Sequence, residues 1–532
     1  MSVSRPNHDP VWIIDEAIGS GQLPTPQQVG SKAYGLMRMA KARLPVPPAL
    51  VLGVALCADV LAGRSTDLAG LLRTHMRALE TASGLIFGSP RRPLLVSVRS
   101  GAAVSMPGML ETVLNVGLAD STLRGLVRAT GNPRLAWDCY RRLVQCFAEV
   151  VHGAAAEPFE AALARRIDSE AARGVRDLDA AALAELTAEF LTLHGRVTGQ
   201  AFPQDPYRQL ELATAAVFKS WDSRKANNFR RMNELEQLDG TAVTIQTMIY
   251  GNAGGTSGSG VGFTRDPANG DNRLYMDFLF NAQGEDVVAG RHAVAGGDDL
   301  GHALPGVARE IERIRKVLEA EFGDMQDFEF TVQNGRLALL QTRSGKRTPW
   351  AALKIAVDLV AEGLIDPAEA LRRLQGLELP GIARSRLVLD ADTRPLAQAI
   401  SAGIGVASGR IALSADTAKG MAERGDDVIL VRREIATEDI LGFAAARGIL
   451  TGLGGRTSHA AVVARQMNKV CLVGCRELEI EAEGIRLGGC RLAEGDSLSL
   501  DGGSGLVYAG RVRVVEERPE ALLRQVAAWR AV

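Results

Sequence analysis

The segment GGRTSHAAVVARQM, residues 454–467, holds the residues best suited to chemistry. The apolar run GILTGL (448–453) predicts a strand ending at Leu453. Gly454 and Gly455 predict a tight turn. Thr457 or Ser458 can cap a helix over 460–467. His459 then falls in the first helical turn, where unpaired N–H groups and the helix dipole favour an anion. A histidine in that place is poorly sited as a cation. It is suited to act as a neutral nucleophile whose phosphorylated form the helix end stabilises. Arg456 and Arg465 can add charge-assisted contacts to phosphoryl oxygens. The same spacing also fits a core or capping histidine on a strand–helix turn, and spacing alone does not separate the two.

Glycine is the second signal. There are 57 in 532 residues, about 11% against a usual ~7%. They cluster at 251–262, 284–297, 452–455 and 502–505, and are expected mainly in loops around phosphates. No GxxxxGK[ST] is present, so a Walker-type loop is excluded. Gly258-Ser-Gly260-Val-Gly262 carries little by itself.

The remaining sequence must position these groups. The length predicts roughly three or four domains. Hydrophobic residues are 46% and charged residues 23%, so a disordered or fibrous chain is excluded. Lys+Arg 61 against Asp+Glu 62 leaves a net charge of −1. That gives no reason to expect a nucleic-acid or membrane partner. Six scattered cysteines do not read as a disulfide framework, and Cys471 and Cys475 read as buried fillers. The start MSVSRPNHDP lacks an apolar signal core, so a reducing cytoplasm is expected. LLVSV (94–98) predicts a buried strand, 121–240 is mostly helical, and 241–345 returns to strands. Helical sequence follows over 350–376, a strand-rich unit from about 386, and a helix over 519–530.

GGRTSHAAVVAR resembles the phosphohistidine motif of the pyruvate phosphate dikinase and phosphoenolpyruvate synthase family. SVRSGAAVSMPGMLETVLNVGL (97–118), TAVTIQTMIYGN (241–252), SGSGVGFTRDP (257–267), NAQGEDVVAG (281–290) and MQDFEFTVQNGRLALLQTRSGKRT (325–348) resemble it too. The likeness runs over nearly all of 20–512 and favours the phosphate-using dikinase. It implies a multidomain α/β and α+β fold. ATP-grasp lobes over 1–345 carry a helical insertion at 121–240. A helical hinge spans 346–385, a swivelling phosphohistidine domain 386–512, and a tail 513–532. By motif position, Lys32 and Arg99 are the basic contacts to ATP, and Arg343 joins Arg99 and His459 as catalytic. Glu329 and Gln341 bind the nucleotide and its Mg²⁺. Gly454, Gly455, Ser458 and Arg465 support the phosphohistidine. Thr457 matches a position where some members carry a regulatory phosphate. Around Lys32 the sequence departs from the family, reading SKAYG where a second glycine is usual.

Asn334-Gly335 predicts a hairpin. A two-residue loop places Glu329 and Gln341 on opposite faces. A three-residue loop over Gln333 to Gly335 puts Glu329, Gln341 and Arg343 on one face and Phe328, Phe330, Val332, Ala338 and Leu340 on the other. The second arrangement separates polar from apolar better and is the expectation. His292 reads as a loop histidine.

The implied reaction is an ATP-dependent self-phosphorylation of His459, releasing AMP and then pyrophosphate with phosphate as second substrate. The family's acceptor barrel needs about 250 residues, and 27 follow Gly505 (532 − 505). The expected acceptor is therefore pyruvate on a separate partner protein. A non-pyruvate acceptor, or a nucleotide-binding regulatory or phosphocarrier protein without turnover, are the alternatives.

Overall fold

The computed structural model describes residues 10–15, 22–64, 67–106, 108–288, 297–389, 393–403, 405–435, 439–455, 458–467 and 469–530. The chain divides into two compact units, 1–254 with 338–343, and 255–337 with 344–532.

The first unit is built on an antiparallel sheet in the order Val11–Ile14, Ala49–Leu52, Ala242–Thr247, Val96–Gly101, Thr112–Val116. Period-two alternation sets its two faces. In VSVRSG, Val96 and Val98 point into the core, as do Val243 and Ile245 in AVTIQT. Against that face pack helices from the stretch 120–232, among them Pro133–His152 and Ala180–Thr198. Asn132 and Asp179 cap these two by accepting from the N–H groups of Leu135 and Ala182. LLVSV is interrupted at Leu95, so strands run over Pro93–Leu94 and Val96–Gly101.

The second unit contains the strands Tyr275–Phe280, Gly258–Phe263 and Gln326–Gln333, antiparallel in that order. Arg265, fully buried, ties this sheet to two helical segments. Its Nε and Nη2 donate to Glu319 at 3.0 and 2.9 Å, and Nη2 also donates to Glu362 at 2.5 Å. Helices Pro349–Ala361 and Pro367–Arg373 share an apolar core with the closing helix Glu520–Arg530.

Beyond them lies an eight-stranded sheet. Its centre is a parallel run, Val406–Ala412, Val428–Arg432, Gly448–Thr451 and Val470–Val473, joined through helices Ala415–Glu423, Ile440–Ala445 and His459–Gln466. Apolar clusters cover both faces, as buried parallel strands require. The chain enters this layer through Arg384–Val388 and leaves through Arg513–Glu517, and these two strands pair antiparallel.

Candidate functional site

Arg99 lies on the face of the first sheet that turns away from the apolar core. Its neighbours there are Ser97, and across the next strand Thr244 and Gln246, with Arg99 opposite Thr244. Thr244 and Gln246 are almost fully buried. Arg99 is half-buried, and its Nη1 donates to the Leu340 carbonyl at 3.4 Å. Helix Pro26–Lys41 covers part of this face. It is broken at Gly30, with φ 77° and ψ 156°. A Cβ at Gly30 would collide with the Gly101 carbonyl. Ser31 then anchors the restart, donating from N and Oγ to the Ala102 carbonyl at 2.8 and 3.0 Å. The Lys32 Cβ lies 3.5 Å from where a Cβ on Gly101 would stand, and Gly101 shares the Arg99 face. The structure thus brings Lys32 and Arg99 together on one polar face. The SKAYG departure leaves the one glycine that the kink requires.

Glu329 stands on the second sheet. Opposite it lie Val261 and then Asp277, with Asp327 and Thr331 on the same face. The other face explains the glycines of SGSGVGF. Gly258, Gly260 and Gly262 are strand residues, not loop residues, and all are buried. A Cβ on each would overlap the rings of Phe278, Phe330 and Phe328 respectively. They make room for packed phenylalanines, so the expectation of phosphate loops is corrected here.

The hairpin expectation is corrected as well. The strands end at Gln333 and resume at Arg336, so the loop is the two residues Asn334 and Gly335, both left-handed at φ 50° and 75°. Leu337, Leu339 and Gln341 are buried in alternation, while Ala338 and Leu340 are half-buried. Gln341 and Arg343 thus keep the parity of the buried Leu337 and Leu339, and a two-residue turn puts them on the face of Phe328 and Phe330, opposite to Glu329. The grouping of Glu329, Gln341 and Arg343 on one face, which needed a third loop residue, is not what this turn gives. Phe328, Phe330 and Val332 do share the apolar side.

At the third location, strand Gly448–Thr451 leads into the glycine turn. Gly454 has φ 106°, and a Cβ there would stand 3.1 Å from the Ser458 Oγ. Gly455 is buried and accepts from the Ser458 N–H at 3.1 Å. Ser458 caps the helix: its Oγ accepts from the Ala461 N–H at 3.4 Å. His459 opens the helix His459–Gln466. Arg465 is within that helix. Thr457, Arg456 and His292 lie outside the described residues.

Residues 64–295 match the pyruvate phosphate dikinase AMP/ATP-binding domain, and residues 425–505 match the mobile domain of PEP-utilising enzymes. Arg99 lies in the first and His459 in the second. The chain belongs to the pyruvate phosphate dikinase family. It is 41% identical over 510 residues to the pyruvate, phosphate dikinase of Clostridium symbiosum, covering 94% of this chain and 58% of that protein. It is 41% identical over 543 residues to a chloroplastic pyruvate, phosphate dikinase of Mesembryanthemum crystallinum, covering 99% and 57%. A pyruvate, phosphate dikinase of Entamoeba histolytica is also 41% identical, over 92% of this chain and 56% of its own length. The chain therefore spans somewhat under three-fifths of the curated dikinases it matches.

For a metal, Glu329 offers hard oxygen donors of the kind Mg²⁺ takes, whereas Gln341, the other expected ligand, is buried with the parity of Leu337 and Leu339. Among the described residues no cluster of three or more His, Cys, Asp or Glu side chains forms a cage. Asp327, two residues before Glu329 on the same face, is an additional oxygen candidate. Sequence reasoning passed over it, although its i, i+2 spacing in DFEF was the available signal. Among the described residues no helix is long and apolar enough to cross a membrane.

Proposed function

We propose that this chain is the ATP-charging component of a dikinase. The observation that carries it is the placement of His459 as the first residue of a capped helix behind a glycine turn, in a chain that also matches a dikinase nucleotide domain. In this reading the nucleotide region is an ATP-grasp site. Lys32 and Arg99 bind the phosphates, Lys32 as a point charge and Arg99 as a fork. Glu329, with Asp327 on the same face, would hold Mg²⁺, which would supply charge neutralisation at the phosphates.

The imidazole nitrogen of His459 attacks the β-phosphorus of ATP. The bond from that phosphorus to the α–β bridging oxygen breaks, and AMP leaves. Arg99 and Arg343 stabilise the charge that develops. Inorganic phosphate then attacks the terminal phosphorus of the pyrophosphoryl-histidine; the bridging oxygen keeps the electron pair of the broken bond and stays on the phosphohistidine, and the newly formed pyrophosphate departs. The remaining phosphoryl sits at a helix start, where N–H groups favour an anion. Arg465 adds a cation, and a phosphate on Thr457 would oppose charging by like-charge repulsion.

The phosphoryl is finally handed to an acceptor, with pyruvate on a partner protein as the first to test. Neither matched domain is an acceptor domain. Segment 346–385 serves as the hinge, and the paired strands Arg384–Val388 and Arg513–Glu517 form a two-stranded neck for it. Six cysteines without a disulfide fit a cytoplasmic setting.

The test is product analysis with Mg-ATP and phosphate. Equimolar AMP and pyrophosphate are expected once an acceptor is supplied, and a single-turnover burst of AMP without one. Release of ADP in place of AMP would refute the dikinase reading.

A further inference from the structure

The parallel strands of the eight-stranded sheet end together at Arg432, Thr451 and Val473. Ligands of open α/β sheets bind in the crevice outside such carboxyl ends. A cavity of ≈ 480 Å³ lies there, within the ~300–1,000 Å³ range of small-molecule pockets. One wall is Leu453 and Gly454, the turn that leads to His459, and the floor includes Gly474. A Cβ on Gly474 would stand 2.7 Å from the Gly454 carbonyl, so glycine holds these two turns together. The opposite wall is the strand Leu478–Glu481, contributing Leu478 and Ile480.

Two arginines line this cavity, Arg433 and Arg476. Both are exposed, and neither has an ion pair among the described residues. Elsewhere in the same sheet arginines are paired, as Arg447 is with Asp427 at 3.0 Å and Arg432 with Asp439 at 3.4 Å. Glu479 also lines the cavity but leans towards Arg486, whose Nε is 3.8 Å away. The lining therefore holds two arginines and one glutamate together with the apolar Leu453, Leu478 and Ile480. Guanidiniums bind carboxylate and phosphate oxygens through paired N–H groups.

We infer that the histidine domain carries its own anion site, formed by Arg433 and Arg476, for a small carboxylate or phosphate compound with a short apolar body. Its binding chemistry is independent of turnover. Its use, holding inorganic phosphate or a departing product beside the His459 turn, rests on the function proposed above.

The test is isothermal titration of the full-length, unphosphorylated protein with phosphoenolpyruvate, pyruvate and inorganic phosphate, each alone. At least one should bind saturably. The double variant Arg433→Gln/Arg476→Gln should weaken that binding at least tenfold. Arg447→Gln, an ion-paired arginine of the same sheet outside the cavity, should leave it unchanged. Unchanged thermal melting of the double variant excludes unfolding as the cause. Absence of saturable binding by all three compounds, or binding that survives the double variant, overturns the inference. If binding behaves as expected while His459 takes no label from ATP, the anion site stands and the dikinase reading fails.

Discussion

Gly258, Gly260 and Gly262 lie two apart along one buried strand, whereas Gly454 and Gly455 lie side by side in a turn. The first group gives up side chains so that three phenylalanine rings can pack. The second gives up a side chain so that the backbone can reverse before a helix cap. One residue type serves packing in one region and site geometry in the other. A glycine cluster in sequence therefore signals close approach without saying whether a ring or a ligand approaches.

Substitutions can break this contrast. The largest effect is expected from Gly454→Val. Its φ of 106° suits glycine, and a side chain would press on the Ser458 Oγ. Displacing the helix start by about 1 Å should slow His459 charging ~10²-fold, read as the rate of protein labelling from ATP. Gly260→Val should act on stability instead. Overlap with Phe330 should cost about 1–3 kcal/mol, read from urea denaturation, with charging per folded molecule retained. If Gly260→Val abolished charging without loss of stability, the division of roles between the two segments would fall.

Smaller effects sharpen the same contrast. Ser458→Ala removes the cap on the Ala461 N–H and should cost about 0.5–2 kcal/mol, with a greater effect on labelling than on the global melt.

His194 supplies the counterpart to His459 as a core histidine. It is fully buried among Phe147, Phe202 and His152, with Nδ1 3.0 Å from the Gln200 carbonyl. Burial first, and His152 second, hold its pKa below the ordinary value, while the Gln200 carbonyl opposes them. A histidine with a depressed folded pKa contributes stability above its unfolded value near 6.5. That stability is lost as pH falls below this value. The urea midpoint should therefore drop between pH 7.5 and pH 5. His194→Phe, which cannot titrate, should flatten that slope. An unchanged slope would mean that His194 does not titrate in this way.

The sequence made some of this structure legible. Alternation in VSVRSG and AVTIQT is enough to turn Arg99 away from the core, because period-two burial is a local property. The closing helix Glu520–Arg530 and the strand before the histidine turn were equally local signals. The glycine strand was not legible. Its partners Phe278, Phe328 and Phe330 reach it only through pairing across distant strands. The hairpin at Asn334 failed by a single residue, and in a strand one residue exchanges the faces. Apolar segregation favoured the longer loop, yet the left-handed pair Asn334-Gly335 closed the shorter one. It did so with Gln341 buried alongside Leu337 and Leu339. Gly30 carried no signal of its own beside the SKAYG departure, and only the contact with Gly101 reveals what it does.

The central claim is that His459 retains the β-phosphoryl of ATP. Single-turnover labelling with β-³²P and γ-³²P ATP, followed by peptide mapping, tests it most directly. Acid-labile β-label should remain on the peptide containing His459 after phosphate is added, and γ-label should leave as pyrophosphate. His459→Ala should carry neither. Retention of γ-label in the presence of phosphate, or labelling that persists in His459→Ala, would contradict the account.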